Sequence, residues 1–265
     1  MLVVAERINA SRKNIRAALE RLDSESIQRE ALAQTKAGAN YIDINGGTFP
    51  GREAELLTWL VEVVQEVTDL PLCLDSSDPS ALAEALPKVK TPRPMINSIT
   101  LEDGRFEPVL HLVRGYSAKV IALCQGQGRP PVTISEKEDV AARMVGKLTE
   151  AGVPLDDIYV DPLVFPLATD PDSGQATIGA ISAIMKRFPG IHSICGLTNI
   201  SHGIPARKLV NRTFLVCAMA KGLDSAILDP TDSLLMSNVI AAEAALGIDE
   251  YCINLIGAFK SGKLG

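Results

Sequence analysis

The feature that most limits how this chain can fold is an alternation of strand and helix signals that runs from end to end. Short β-rich apolar runs fall at roughly 2–5, 40–44, 71–74, 94–97, 118–123, 157–160, 191–195 and 225–228, and a helical stretch follows each. Eight units in 265 residues average about 33 residues, the length of a strand–crossover–helix unit. That count predicts an α/β fold closed into a barrel of eight parallel strands. An open doubly wound sheet needs only about five or six strands, and usually a glycine-rich phosphate turn after the first. Here the first turn reads Glu6-Arg7-Ile8-Asn9 and has no glycine. No linker or low-complexity segment interrupts the pattern, so residues 1–265 are expected to form one domain.

Local signals support the helices. Leu56, Leu60, Val63, Val64 and Val67 form a one-face stripe at helical spacing. Asp78-Pro79 reads as an N-cap followed by proline at the first helical position. Ser135 and Glu138 have capping-box spacing, and Gly152 with Pro154 marks the end of that helix. A further helix is expected to start at Pro205 and stop at Gly222, with Lys221 favourably placed in its last turn. Gly126, Gly128, Pro130 and Pro131 predict a mobile rim loop, a lid by position.

Composition removes several function classes. The net charge of −6 offers no basic stripe for nucleic acid. No run approaches the ~18 apolar residues that span a membrane. Met1 leads straight into Leu2-Val3-Val4-Ala5, with no secretory signal. Cys73, Cys124, Cys195, Cys217 and Cys252 are odd in number and widely spaced, which supports neither a disulfide framework nor a zinc ribbon. A reducing, cytoplasmic setting is expected, and no metal site is expected among three scattered histidines.

Polar residues end nearly every strand: Glu6 and Asn9, Asp43 and Asn45, Asp75, Asn97, Asp161, Asn199, Asp229. In a parallel barrel these ends meet on one rim, where the active site lies. Asp75 and Asp161 each follow an apolar run and so require hydrogen-bonded partners. A carboxylate only accepts, which matches an N–H and an exocyclic amine side by side, as on a guanine or pterin edge. Asn97 and Asn199 offer a donor and an acceptor each, whereas Asn45 reads as a turn residue. Strand-end aspartates also cap helices or pair with lysine, so each has a purely structural alternative. The densest run is Cys195-Gly196-Leu197-Thr198-Asn199-Ile200-Ser201-His202-Gly203-Ile204-Pro205-Ala206-Arg207. Gly196 permits close backbone approach to a ligand, and His202 titrates near neutral pH. Arg207 at a helix N-terminus opposes the macrodipole, which points to an anionic or planar partner. Neither a GxSxG elbow nor a P-loop is present.

These residues bring a family resemblance. Glu6-Arg7-Ile8-Asn9 is similar to the opening motif of the methyltetrahydrofolate-binding methyltransferases. Leu74-Asp75-Ser76-Ser77, Ile96-Asn97-Ser98 and Tyr159-Val160-Asp161-Pro162-Leu163 fall where that family places its pterin-binding residues. Gly196-Leu197-Thr198-Asn199-Ile200-Ser201 and Asn211-Arg212-Thr213-Phe214-Leu215 resemble its later motifs. The resemblance covers essentially the whole chain. It is greatest to the methyltetrahydrofolate:corrinoid protein methyltransferases and more distant to the folate domain of cobalamin-dependent methionine synthase.

The resemblance implies a TIM (β/α)8 barrel, usually a homodimer, that acts in one-carbon metabolism: the acetyl-CoA pathway, O-demethylation, or betaine and methylamine use. It implies tetrahydrofolate or 5-methyltetrahydrofolate as substrate, and a corrinoid (cobalamin) carried by a separate corrinoid protein that docks over the barrel mouth. Asp75, Asn97 and Asp161 would hold the pterin, with Asn199 the catalytic donor at N5; Gly196, Thr198, His202 and Arg207 complete the expected site. His202 departs from the family, where an uncharged residue such as glutamine is expected, as does the loop from Cys124 to Pro131. Two rivals share the rim: a dihydropteroate synthase, whose Asn-x-Thr-x-Asp-Ser-Phe opening is missing, and a non-catalytic folate-binding subunit of a corrinoid complex.

Overall fold

The computed structural model describes residues 1–47 and 49–264. Its strands are β1 (Leu2–Asn9), β2 (Tyr41–Asn45), β3 (Leu72–Asp75), β4 (Met95–Ile99), β5 (Lys119–Leu123), β6 (Ile158–Asp161), β7 (His192–Ser193) and β8 (Ser225–Leu228). All neighbours pair in parallel, in the order β7-β6-β5-β4-β3-β2-β1-β8. The two ends of this series join where Gly196 bridges Ile227 and the Ile227 N–H donates to the Cys195 carbonyl at 2.9 Å. The result is the predicted barrel, closed by its shortest strand.

The helices are α1 (Lys13–Arg21), α2 (Ser24–Lys36), α3 (Glu53–Gln65), α4 (Pro79–Ala85), α5 (Phe106–Gly115), α6 (Ile134–Glu150), α7 (Ser173–Arg187), α8 (Arg207–Met219), α9 (Ser233–Ala245) and α10 (Ile253–Lys260). The α3 stripe Leu56, Leu60, Val63 and Val64 is buried against the sheet. Asp78 Oδ1 accepts from the Ser80 N–H at 2.8 Å, with Pro79 opening α4 as predicted. Two helices cross from β1 to β2. Leu22 turns left-handed (φ 52°) and stops α1, and Asp23 then caps α2 by accepting from the Ser26 N–H at 3.1 Å.

Three boundaries differ from expectation. The α6 capping box is Thr133 with Glu136, not Ser135 with Glu138. Glu136 accepts the Val132 and Thr133 N–H groups, at 2.9 and 3.0 Å, while Glu138 turns outward to Arg187. Helix α8 begins at Arg207, because Ala206 is left-handed (φ 55°) and Pro205 stays in the preceding loop. Glu6 to Asn9 are strand rather than turn, with the β1–β2 register shifting between Ala5 and Ile8. Such a shift bends a strand and re-aims its side chains.

A layer of interior side chains fills the barrel: Val4, Tyr41, Cys73, Met95, Ile121, Tyr159 and Ile194, with Ile227 packed against them. Each strand contributes one residue or has one just beyond its end, as in a packed barrel core. Toward the strand starts, Lys119 Nζ donates to the Tyr159 hydroxyl at 2.6 Å, and Tyr159 stacks on His192 at 4.6 Å between ring centres.

Candidate functional site

Side chains alternate faces along a strand, so the interior face returns two residues further on. From Val4, Tyr41, Cys73 and Met95 that step reaches Glu6, Asp43, Asp75 and Asn97. From Ile121, Tyr159, Ile194 and Ile227 it reaches Leu123, Asp161, Gly196 and Asp229. All eight line a cavity of about 1090 Å³ at the C-terminal end of the strands. The apolar layer is its floor, and the next layer is a ring of five carboxylates and one amide.

Burial of this ring outweighs the cations near it, Arg12, Arg105, Lys137 and Arg207. Burial pushes Glu6 up to about 7, and both Asp75 and Asp161 up to about 6. Asp43, only 2% exposed, is pushed well above the usual carboxylate range by burial first and the Asp75 charge second. Asn97 Nδ2 donates to Asp43 Oδ1 at 3.2 Å, so these two act as a unit. Asp229 is compensated by Arg7 at 2.9 Å, which also binds Glu30.

All eight residues selected from sequence line this one cavity. Asp161 has a structural duty as well: its Oδ1 accepts the Leu163 N–H at 2.7 Å, and the Gly196 N–H also bonds the carboxylate. Lys137, fully buried in α6, clamps the same loop by donating to the Pro162 and Leu163 carbonyls at 2.7 and 2.6 Å. Thr198 and Asn199 stand on a 3₁₀ turn, Leu197–Ser201, and Thr198 Oγ1 lies 3.2 Å from Glu6 Oε2. A Cβ on Gly196 would come within 3.0 Å of Asn199 Nδ2, so the glycine is what lets the amide lie there. Among the described residues the Asn199 side chain has no hydrogen-bond partner, and it is exposed to the cavity.

Arg207 has partners within the chain. Its guanidinium donates to Ser201 Oγ at 3.1 Å and the Thr198 carbonyl at 3.0 Å. The cation at this helix start clamps the 3₁₀ turn, and its charge also favours the Glu6 carboxylate. The His202 imidazole lies exposed on the rim, and its ring forms no hydrogen bond among the described residues. Of the glycine- and proline-rich loop only Gln125 lines the cavity, while Arg129 pairs with Glu136 at the α6 start. Asn45 is the turn residue predicted: its Oδ1 accepts the Gly47 N–H at 3.1 Å, and its Nδ2 reaches the Asp75 carbonyl at 3.3 Å.

Glu6, Asp43 and Asp229 belong to the ring but not to those eight, although all three stand in the row of polar residues that follows the apolar runs. The two-residue step from Val4, Tyr41 and Ile227 is the signal that finds them. Asn211 was also passed over. It lines the cavity from α8, 9% exposed, and its Oδ1 is buried without a partner among the described residues. The run Asn211-Arg212-Thr213-Phe214-Leu215 carries part of the family resemblance, but nothing in it separates Asn211 from its neighbours as a residue of the cavity.

Residues 5–229 match the model of the pterin binding enzyme family, and the chain belongs to that family. It is 35% identical to the methylcorrinoid:tetrahydrofolate methyltransferase of Eubacterium limosum, over 100% of this chain and 98% of that protein. It is 31% identical to the methionine synthase of Mycobacterium leprae (strain TN), over 94% of this chain but only 22% of that longer protein. Among solved structures, the Xanthomonas albilineans dihydropteroate synthase with 4-aminobenzoic acid superposes with a TM-score of 0.70. That match covers 93% of both chains at 16% identity, a likeness of fold.

Proposed function

We propose that the chain is a methyltransferase that moves a methyl group between N5 of tetrahydrofolate and the cobalt of a corrinoid carried by a partner protein. The observation that carries this reading is the full-length relation to a methylcorrinoid:tetrahydrofolate methyltransferase, in a chain whose polar ring matches a pterin edge. The 2-amino-4-oxo edge of a pterin presents an N–H beside an exocyclic amine, and paired acceptors such as Asp75 and Asp161 suit it. Asn97, held by Asp43, serves the remaining ring positions. Gly196, Thr198 and Asn199 face N5, with His202 and Arg207 at the mouth.

The chemistry asks for little covalent work from the protein. N5 of methyltetrahydrofolate is a tertiary amine and a poor leaving group, so a hydrogen bond or proton delivered to N5 in the transition state lowers the barrier. The rest is positioning of two substrates in line. Asn199, with an unengaged amide, is the donor at N5. The cavity mouth stays open for the corrinoid protein to cover.

The same reading places the protein in the cytoplasm as one pterin-binding domain over residues 1–265, and as a homodimer. Support for the dimer comes from apolar side chains left in solvent at the C-terminal end. Tyr251 is 82% exposed, Phe259 74%, Ile253 65% and Ile248 64%. Apolar surface gathered in this way marks an interaction site.

The test is anaerobic. Purified protein is mixed with cob(I)alamin and methyltetrahydrofolate, and the cobalt spectrum is followed. Loss of the Co(I) band and growth of the methylcobalamin band, faster than without protein, is the expected result. A protein that binds pterin tightly yet transfers no methyl to or from free cobalamin or any corrinoid protein would instead be a folate-binding subunit.

A further inference from the structure

Glu6 is a carboxylate of the ring whose side chain meets a side chain of the turn carrying Asn199. Its Oε2 lies 3.2 Å from Thr198 Oγ1, one residue before the amide assigned to N5. It lines the cavity, and it lies within the register shift of β1 between Ala5 and Ile8. Charged groups face it from four sides: Asp229 just past β8, Asp43 from β2, Arg12 ahead of α1, and Arg207 opening α8. Arg12 and Arg207 favour the carboxylate, but burial outweighs them. The guanidinium of Arg207 is bonded to Ser201 and Thr198, and that of Arg7, the chain neighbour of Glu6, to Glu30 and Asp229.

From this placement we infer that Glu6 is the proton reservoir for N5, giving a proton up in one direction of methyl transfer and taking it back in the other. The inference rests on the methyltransferase reading above. When methyl leaves N5, the C–N bond breaks and its electron pair stays on nitrogen. Co(I) supplies the two electrons of the new Co–C bond. N5 then needs a proton, and the Glu6 carboxyl provides it across the Thr198–Asn199 turn, becoming a carboxylate. In reverse, the N5 lone pair takes methyl from methyl-Co(III), Co(I) departs with the bond pair, and the Glu6 carboxylate accepts the N5 proton. Burial holds Glu6 at about 7, so both forms are populated at neutral pH. Efficient proton transfer favours a group with a pKa near the working pH. Asn199 then positions N5, and Glu6 keeps the proton account.

The experiment is single-turnover methyl transfer from methyltetrahydrofolate to cob(I)alamin across pH 5.5–8.5 (about the range flanking a neutral pKa), with pterin affinity measured in parallel. Glu6→Gln removes the proton with little change of shape. The expected result is a rate lower by about 10²-fold or more, affinity within about 3-fold, and loss of the rate's dependence on a group near neutrality. Thr198→Val is the second variant. The Thr198 hydroxyl holds the Glu6 value down, so its removal moves the midpoint of the wild-type profile to higher pH. Wild-type rate and profile in Glu6→Gln, or equal loss of rate and affinity, would overturn the role of Glu6 while leaving the function standing. A wild-type protein that transfers no methyl at all overturns the function and the role of Glu6 with it.

Discussion

Asn199 lies against the bare Cα of Gly196, with its Nδ2 within 3.0 Å of where a Cβ would stand. A methyl group there must push the amide aside. Gly196→Ala is expected to fold normally and to bind pterin, yet to lose at least about tenfold in methyl-transfer rate, since small displacements of a positioned group are costly. Stopped-flow transfer beside a binding titration separates the two effects.

Removing the amide itself should divide rate from binding more sharply. Asn199→Ala is expected to lower the rate by about 10²–10³-fold, the usual cost of one transition-state donor, and to weaken pterin binding by less than about tenfold. Equal losses in both would place Asn199 in ground-state binding alone.

Burying the acidic ring should cost stability in a pH-dependent way. Asp75 rises from 3.8 to about 6 on folding, so the protonated form is the one folding prefers. Stability from this group is full below about 3.8 and is lost as pH rises through about 6. Asp75→Asn is therefore expected to raise the unfolding free energy at pH 8 by roughly 1–3 kcal/mol and to change it little at pH 5. The same variant loses pterin binding. Denaturant melts at the two pH values are the measurement.

His192 works in the opposite sense at the other end of the barrel. It bridges Asp224 at 2.7 Å and Asp156 at 3.1 Å, and Asp224 first, then Asp156, raise its pKa above the ordinary 6.5. Its contribution is fully present below 6.5 and fades as pH rises through the higher folded value. His192→Gln should destabilise at pH 6 and have a much smaller effect at pH 9, read by thermal melts, because the neutral ring then keeps one hydrogen bond and the stack on Tyr159 but no ion pair.

Phe259→Glu places a charge on the exposed α10 surface. If that surface is the seam of a dimer, wild-type protein sediments at twice 28.3 kDa and the variant at 28.3 kDa, with methyl transfer per chain preserved. A wild-type protein of 28.3 kDa would remove the dimer from the proposal.

The barrel was legible because its signal is long-range and repeated: eight apolar runs at nearly even spacing leave few alternatives. Asp75, Asn97 and Asp161 were legible because each ends a run with no polar neighbour before it. Glu6 was obscured by the register shift in β1, which made strand look like turn. Asp43 lies inside Tyr41-Ile42-Asp43-Ile44-Asn45 and is masked by the residues after it; only the interior layer below shows which way it points. The role of Arg207 depends on where Thr198 and Ser201 turn their oxygens, which no spacing encodes. The α6 cap was displaced by two residues because Thr133–Glu136 and Ser135–Glu138 have the same spacing, and the ion pair with Arg187 decides between them.

Among the described residues the two-residue strand β7 has the fewest ladder pairs: Tyr159–His192 and Val160–Ser193 with β6, and toward β8 a side-chain bond from Ser225 Oγ to the Ser193 carbonyl and the Gly196–Ile227 bridge beyond its end. Resistance to local opening follows how densely a segment is stitched to its neighbours. The barrel is therefore stiff around most of its circumference and compliant along one stave. That stave leads directly into Thr198 and Asn199, so the rim can yield to an arriving ligand there while the aspartates of β2, β3 and β6 keep their places. In amide exchange, the stretch from Ile194 to Asn199 should be the first of the barrel wall to take up deuterium, and a bound pterin should slow it most.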